Sequence, residues 1–133
     1  HQVVRRQRQM CIRDRVIRDI HEYCLVFSKD SMKNSSGGKS TIQKKEFMES
    51  TLSIWNISPE KAKRIGHPAP FPVELPKKFI NLYSFKEDLI LDPFIGSGTT
   101  AVASKLLQRN YVGYEINKEY IKLADKRLKI ETN

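Results

Sequence analysis

Cysteine is scarce in this 133-residue chain. Cys11 and Cys24 are the only two, at no metal-ligand spacing and too few for a disulfide framework. No apolar run approaches the roughly 18–20 residues that a bilayer span requires. The arginine-rich start has no apolar core of the kind a secretory signal carries. A reducing, cytoplasmic setting away from any membrane is the expectation. Acidic residues are also few, 15 against 24 Lys and Arg, for a net charge of +9. That excess admits a polyanion partner without demanding one. Residues 1–15 alone hold five arginines and one aspartate, a net +4, which leaves +5 for the rest. Adjacent prolines are missing altogether: Pro59, Pro68, Pro70, Pro72, Pro76 and Pro93 each stand apart. With 39% hydrophobic and 29% charged residues, the chain reads as globular rather than disordered, and its length suits one domain better than a two-domain enzyme.

What the chain does have is a strand, a glycine turn and a helix start in immediate succession, LILDPFIGSGTT at residues 89–100. Leu89, Ile90, Leu91 and Asp92 suit a buried parallel strand, Gly96-Ser97-Gly98 a tight loop, and Thr99-Thr100 a helix N-terminus. Such a succession converges backbone N–H groups on a ligand. A helix is expected from Thr99 to about residue 109, burying Ala101, Val102 and Leu106, with Asn110 as its left-handed cap. Residues 111–115 read as a second strand and Asn117 as an N-cap. Tyr120, Ile121, Ala124 and Leu128 form the apolar stripe of a last helix. Residues 89–128 therefore read β-α-β-α, half of a doubly wound sheet.

Upstream signals are shorter. Residues 23–27 read as a buried strand and 28–41 as a mobile polar loop. Residues 43–50 read as a short helix with Phe47 and Met48 facing inward. An alternating strand is expected at 51–57, where Trp55 packs rather than offering a base-stacking platform. Residues 58–66 form a polar connector. Pro68, Pro70 and Pro72 then force an extended path, before a helix at about 73–83 with Leu75, Phe79, Leu82 and Tyr83 near one face.

Residue chemistry narrows what the glycine loop binds. A triphosphate loop needs a Lys after its last glycine, where Thr99 stands instead. A dinucleotide loop would accept Ala101 in place of its third glycine, so spacing decides nothing. Asp92, at the carboxyl end of the first strand, would repel a pyrophosphate but suits a cationic group such as the α-amino group of S-adenosylmethionine. Glu115, 23 residues later, is placed to accept hydrogen bonds from ribose hydroxyls. The plainer reading, in which Asp92 caps a helix and Glu115 is surface charge, stays open at this point. So does a non-catalytic, basic nucleic-acid-binding protein with a vestigial nucleotide fold, contacting through Gly37-Gly38 and Lys29, Lys33, Lys39, Lys44 and Lys45. A nicotinamide-dependent oxidoreductase is disfavoured by Asp92.

DPFIGSGTT, the upstream GHPAPFPVELP and the downstream GYEINKEYIKLADKRL, with HEYCLVFSK at 21–29, resemble in order and spacing one family, the DNA amino-methyltransferases. The resemblance implies an α/β class, a partial Rossmann-like S-adenosylmethionine-dependent methyltransferase fold, in the permuted group whose catalytic half comes first. It implies that Asp92, Pro93, Phe94, Gly96, Ser97, Gly98 and Thr99 form the cofactor loop, Glu115 holds the ribose and Ile116 lies near the adenine. His67, Pro68, Ala69 and Phe71 would cover the methionine end. The implied cofactor is S-adenosyl-L-methionine, the implied substrate of the intact enzyme is double-stranded DNA, and a cognate restriction endonuclease is a companion of such systems. No metal is implied. Three regions follow: 1–15 as a non-native tail, 16–66 as the end of the catalytic half with a loop like a target-recognition region, and 67–133 as the S-adenosylmethionine-binding half.

Two features qualify that picture. QRQMCIRDR resembles a translated sequencing adaptor, so residues 1–15 are set aside from the fold. Family members activate the poorly nucleophilic exocyclic amine with an Asp/Asn/Ser-Pro-Pro-aromatic loop, and no Pro-Pro pair occurs here. In the permuted order that loop would precede residue 16. The expectation is a C-terminal fragment of a truncated gene, with no catalytic residue of its own and unable to methylate DNA alone.

Overall fold

The computed structural model describes residues 21–29, 31, 37–60 and 71–132. The adaptor-like stretch and His67, Pro68 and Ala69 lie outside the described residues. The chain forms two compact units, residues 1–32 and 33–133. In the first, residues 23–27 have no regular structure, and Tyr23, Leu25 and Phe27 are exposed. The buried strand expected there is not formed. A strand exists only against a neighbour, and the described residues hold one sheet, of two strands, neither of them here.

The second unit runs α1 (Lys44–Ser50), α2 (Glu74–Tyr83), β1 (Leu89–Asp92), α3 (Thr99–Leu106), β2 (Asn110–Gly113) and α4 (Lys118–Glu131). β1 and β2 pair in parallel, with Leu89 opposite Asn110 and Asp92 opposite Gly113. Parallel neighbours need a crossover rather than a hairpin, and α3 supplies it, so the β-α-β-α order expected for 89–128 is observed. α3 is the core. Ala101, Val102, Ala103 and Ser104 are at most 1% exposed, so the middle of this helix is enclosed on every side, whereas Leu106 at its end, expected to be buried, is 45% exposed. It packs against α2, which contributes Ile80, and α4, which contributes Ala124. Small residues allow that close approach from both flanks.

α3 stops at Leu106, earlier than expected, because Gln108 rather than Asn110 takes the left-handed conformation (φ 60°). Gln108 N–H donates to the Lys105 carbonyl (3.1 Å) and Arg109 N–H to Ser104 (2.8 Å), the paired bonds of a Schellman ending. Asn110 instead opens β2, and its amide donates to the Glu87 carbonyl (2.7 Å). β2 therefore begins one residue before the expected 111 and ends at Gly113. Asn117 caps α4 as expected, its Oδ1 accepting from Glu119 N–H (2.9 Å).

Several expected faces are turned. Residues 51–57 are not a strand. Thr51 donates its N–H (3.0 Å) and hydroxyl (2.9 Å) back to the Phe47 carbonyl, and the Trp55 indole donates to Ser50 (3.1 Å). These side-chain bonds fold the segment onto the end of α1 instead of extending it. Phe47 and Met48 are exposed and Ser50 is the buried residue of α1. Trp55 does pack, edge-on to Phe79 at 5.0 Å. On α2 the buried residues are Pro76, Ile80 and Asn81, whereas Phe79 and Tyr83 stack along a half-open edge (6.3 Å). Polar Asn81 is tolerated inside because Glu46 accepts from its amide at 2.7 Å. On α4 only Ala124 and Arg127 are buried, while Ile121 is exposed. Leu89 and Leu91, expected to be buried, are 65% and 62% exposed, because no layer covers that face of the two-stranded sheet among the described residues.

Candidate functional site

The site is built where the two parallel strands end. Asp92 closes β1, and its Oδ1 accepts from Phe94 N–H (2.9 Å), so the carboxylate is held over the start of the loop it precedes. The Asp92 carbonyl accepts from Tyr114 N–H (3.0 Å), and the Tyr114 carbonyl accepts from Ile95 N–H (3.0 Å). One residue after β2 thus ties the end of β1 to the loop, and Glu115 follows directly. Asp92 and Glu115 are both brought to the carboxyl edge of the sheet, the side on which open α/β sheets bind ligands. Glu115 Oε1 accepts from Asn117 N–H (2.7 Å). Each carboxylate has one such protein bond and keeps further acceptor capacity, since an ionised carboxylate offers about four lone-pair positions.

Between these acids lies the glycine loop. Gly96 (φ 51°) and Gly98 (φ 82°) are left-handed, and Gly98 N–H donates to the Ile95 carbonyl (2.9 Å). Gly98 is also the N-cap of α3, so no side chain caps the first turn of that helix. Gly113 serves the loop from the other strand, because a Cβ there would fall 2.2 Å from Ile95 Cδ1. Ile95 can sit over β2 only because that position carries no side chain.

The predicted loop residues divide into two sets. Phe94 and Ile116 are 88% and 100% exposed beside the acids, and Pro93 is exposed with them. Ser97 and Thr99 are buried, their hydroxyls accepting from Arg127 (3.2 and 3.0 Å). Phe71 is exposed, in irregular chain just before α2. Sequence reasoning missed Arg127 as a contact of this loop. The signal was available: an arginine three residues past Ala124, on the inner face of a helix otherwise read as apolar there.

A concavity of about 280 Å³ is lined by Thr41, Glu46, Asn81 and Leu107 among others. It lies at the C-terminal end of α3, whereas the glycine loop lies at the N-terminal end, roughly 12 Å away along an eight-residue helix. Three of its polar lining residues are engaged in internal bonds: Arg109 donates to Thr41 (2.6 Å) and Asn81 to Glu46 (2.7 Å). Burial pushes the Arg109 guanidinium below its ordinary value, and Asp88 opposes that shift. The group stays charged at any physiological pH.

The arrangement therefore offers two carboxylates, exposed apolar side chains and an uncapped helix start around a left-handed glycine turn. Comparison with known proteins agrees with it. A family model described as DNA methylase matches residues 2–126. The type II methyltransferase M.HindIII of Haemophilus influenzae is 33% identical over 132 residues, covering 88% of this chain and 43% of its own. The orphan methyltransferase M.BamHII of Bacillus amyloliquefaciens is 49% identical over 84 residues, covering 59% of this chain and 32% of its own. The chain spans 21% to 43% of the length of the curated relatives it matches. Among solved structures, a protein assigned as a DNA modification methylase from Thermus thermophilus, complexed with S-adenosyl-L-methionine, is 34% identical with a TM-score of 0.61. The match covers 70% of this chain and 35% of that one. With a family match across nearly all its length, this chain belongs to the N6/N4 DNA methylase family.

Proposed function

We propose that residues 67–133 hold S-adenosyl-L-methionine as the cofactor half of a site-specific DNA methyltransferase. The observation that carries this reading is the backbone bridge through Tyr114, which brings Asp92 and Glu115 to one edge beside the glycine loop. The donor set fits the molecule. The α-amino group is cationic and pairs with Asp92, the ribose diol donates to Glu115, and the uncapped amides of α3 suit the carboxylate of the methionine portion. Phe94 and Ile116 supply apolar surface for the adenine, and the segment of His67, Pro68, Ala69 and Phe71 is the cover we assign to the methionine end. Pro93, Gly96, Ser97, Gly98 and Thr99 shape the turn. When bound, this cofactor supplies an electrophilic methyl group carried on a sulfonium. The solved relative complexed with the same cofactor supports the assignment.

The substrate we assign is the exocyclic amine of adenine or cytosine in double-stranded DNA, acted on by an intact enzyme that contains the Pro-Pro loop absent from these 133 residues. The names of the type II relatives support a paired restriction endonuclease. Without the tetrapeptide, this polypeptide alone is expected to transfer no label from the cofactor to mixed DNA sequences. Clear transfer would overturn that half of the proposal. Cofactor binding is tested by calorimetry with S-adenosylhomocysteine, in which Asp92→Ala and Glu115→Ala should both weaken binding. Undiminished affinity in both variants removes the site assignment.

The reading as a basic, non-catalytic nucleic-acid binder draws on Lys39, Lys44 and Lys45, which are exposed. A salt-dependent DNA affinity with no cofactor binding would favour it.

A further inference from the structure

Arg127 is 5% exposed, an unusual place for a charged side chain unless its donors are satisfied. They are. Nη1 donates to the Ser97 carbonyl (3.1 Å), the Ser97 hydroxyl (3.2 Å) and the Thr99 hydroxyl (3.0 Å). Nε donates to Glu131 Oε1 (2.9 Å) and Nη2 to Glu131 Oε2 (3.4 Å), so a carboxylate one helical turn on grips the other side of the fork. The consequence for the loop is specific. The Ser97–Gly98 peptide has its carbonyl held by Arg127 and its N–H held by the Ile95 carbonyl at 2.9 Å. A trans peptide bonded at both ends cannot rotate about its flanking dihedrals without breaking one bond. The left-handed Gly98 begins at that plane. Independently, Gly98 lies against Ala124, three residues before Arg127 on the same face of α4.

We propose that Arg127, oriented by Glu131, is a positioning residue that sets the glycine loop in its ligand-ready conformation before any ligand arrives. The proposal rests on the cofactor reading for its functional consequence, though not for its geometry. The Arg127 guanidinium itself faces the interior hydroxyls, so its action on a ligand passes through the loop backbone. A loop already ordered spares the bound state the cost of fixing it. α4 thereby becomes the rigid back wall of the site, although none of its residues is assigned to the ligand.

The test uses the full chain and S-adenosylhomocysteine, with three variants: Arg127→Met, Arg127→Lys and Glu131→Gln. Ligand-free amide spectra and calorimetry are read well below each variant's melting temperature, so that global destabilisation does not enter. Arg127→Met should move or broaden the Gly96, Ser97, Gly98 and Thr99 amide signals while those of β1 and β2 stay, and should weaken binding roughly ten-fold. Arg127→Lys, keeping the charge and some donors, should recover part of both effects, and Glu131→Gln should show a weaker version of the same pattern. Native loop signals with wild-type affinity in Arg127→Met overturn the proposal. If that variant does not fold, the same result in both Arg127→Lys and Glu131→Gln overturns it. If wild-type protein binds no S-adenosylhomocysteine, the cofactor reading fails. The loop signals of the ligand-free variants then still decide whether Arg127 sets the loop.

Discussion

A Cβ on Gly98 would fall 2.7 Å from the Ala124 Cβ and 3.0 Å from its Cα, so the glycine loop and the last helix touch backbone to backbone. Gly98 is also left-handed, at φ 82°. Gly98→Ala therefore meets two penalties, backbone strain of about 1–3 kcal/mol and overpacking of about 1–3 kcal/mol. Gly37 separates them. It too is left-handed, at φ 67°, but has nothing within 4 Å of a built Cβ. In urea melts, Gly37→Ala should cost only the strain, about 1 kcal/mol, and Gly98→Ala clearly more. Equal losses would mean that contact with Ala124 is irrelevant.

Charge and shape at Asp92 can be told apart. Asp92→Asn keeps an oxygen to accept from Phe94 N–H, as Oδ1 does now at 2.9 Å, so the loop should keep its form. It removes the negative charge proposed to meet an ammonium. A charge-assisted bond is worth about 1.5–3 kcal/mol, which corresponds to roughly ten-fold to over a hundred-fold in S-adenosylhomocysteine affinity. Glu115→Gln retains a neutral acceptor for a hydroxyl and should lose no more than about ten-fold. Calorimetry on the two variants reads this difference. A larger loss at Glu115 than at Asp92 would reverse the roles.

Among the described residues Arg109 is, with Arg127, one of two buried arginines, and it braces the far side of the core. It is 4% exposed and donates to the Thr41 hydroxyl (2.6 Å), the Leu107 carbonyl (2.6 Å), the Ser84 carbonyl (2.8 Å) and the Ser84 hydroxyl (3.2 Å). Arg109→Met leaves those acceptors short of donors and should cost roughly 3 kcal/mol of unfolding free energy. Its distance from the loop along α3 predicts little change in the loop amides, whereas Arg127→Met should change them. A stability loss below about 1 kcal/mol would show that these bonds are exchanged for water without penalty.

Leu89, Leu91, Val112 and Tyr114 share one face of the sheet by strand alternation and pairing, and all four are exposed. An uncovered apolar face of this kind should bind an apolar fluorescent dye. Leu89→Ser together with Leu91→Ser should lower the dye signal severalfold, with little loss of stability because these side chains bury little surface. An undiminished signal would place the apolar surface elsewhere, for example at Phe94 or Ile116.

The elements that could be read from the chain are those whose signals are local. Leu89–Asp92 matches its expected span, Asn117 caps as its side chain dictates, and the order β-α-β-α survives intact. Residues 23–27, an apolar run, and 51–57, an apolar alternation, differ from the expected strands because either signal shows a willingness to be a strand, not the presence of a partner. Gln108 displaced Asn110 as the left-handed residue because the Ser104 and Lys105 carbonyls needed donors at that turn. Propensity does not see such bonds.

For the site, the residue types Asp92, Gly96, Gly98 and Glu115 and their spacing were enough to mark a strand-loop-helix cradle with two acids. That information sits in chemistry and separation along the chain. Only the folded structure decided that Tyr114 bridges Asp92 to Ile95, and that Ser97 and Thr99 turn inward to Arg127. Those contacts join residues about 20 to 30 positions apart. They depend on parallel register and on how closely α4 approaches Gly98, distances that no local pattern encodes.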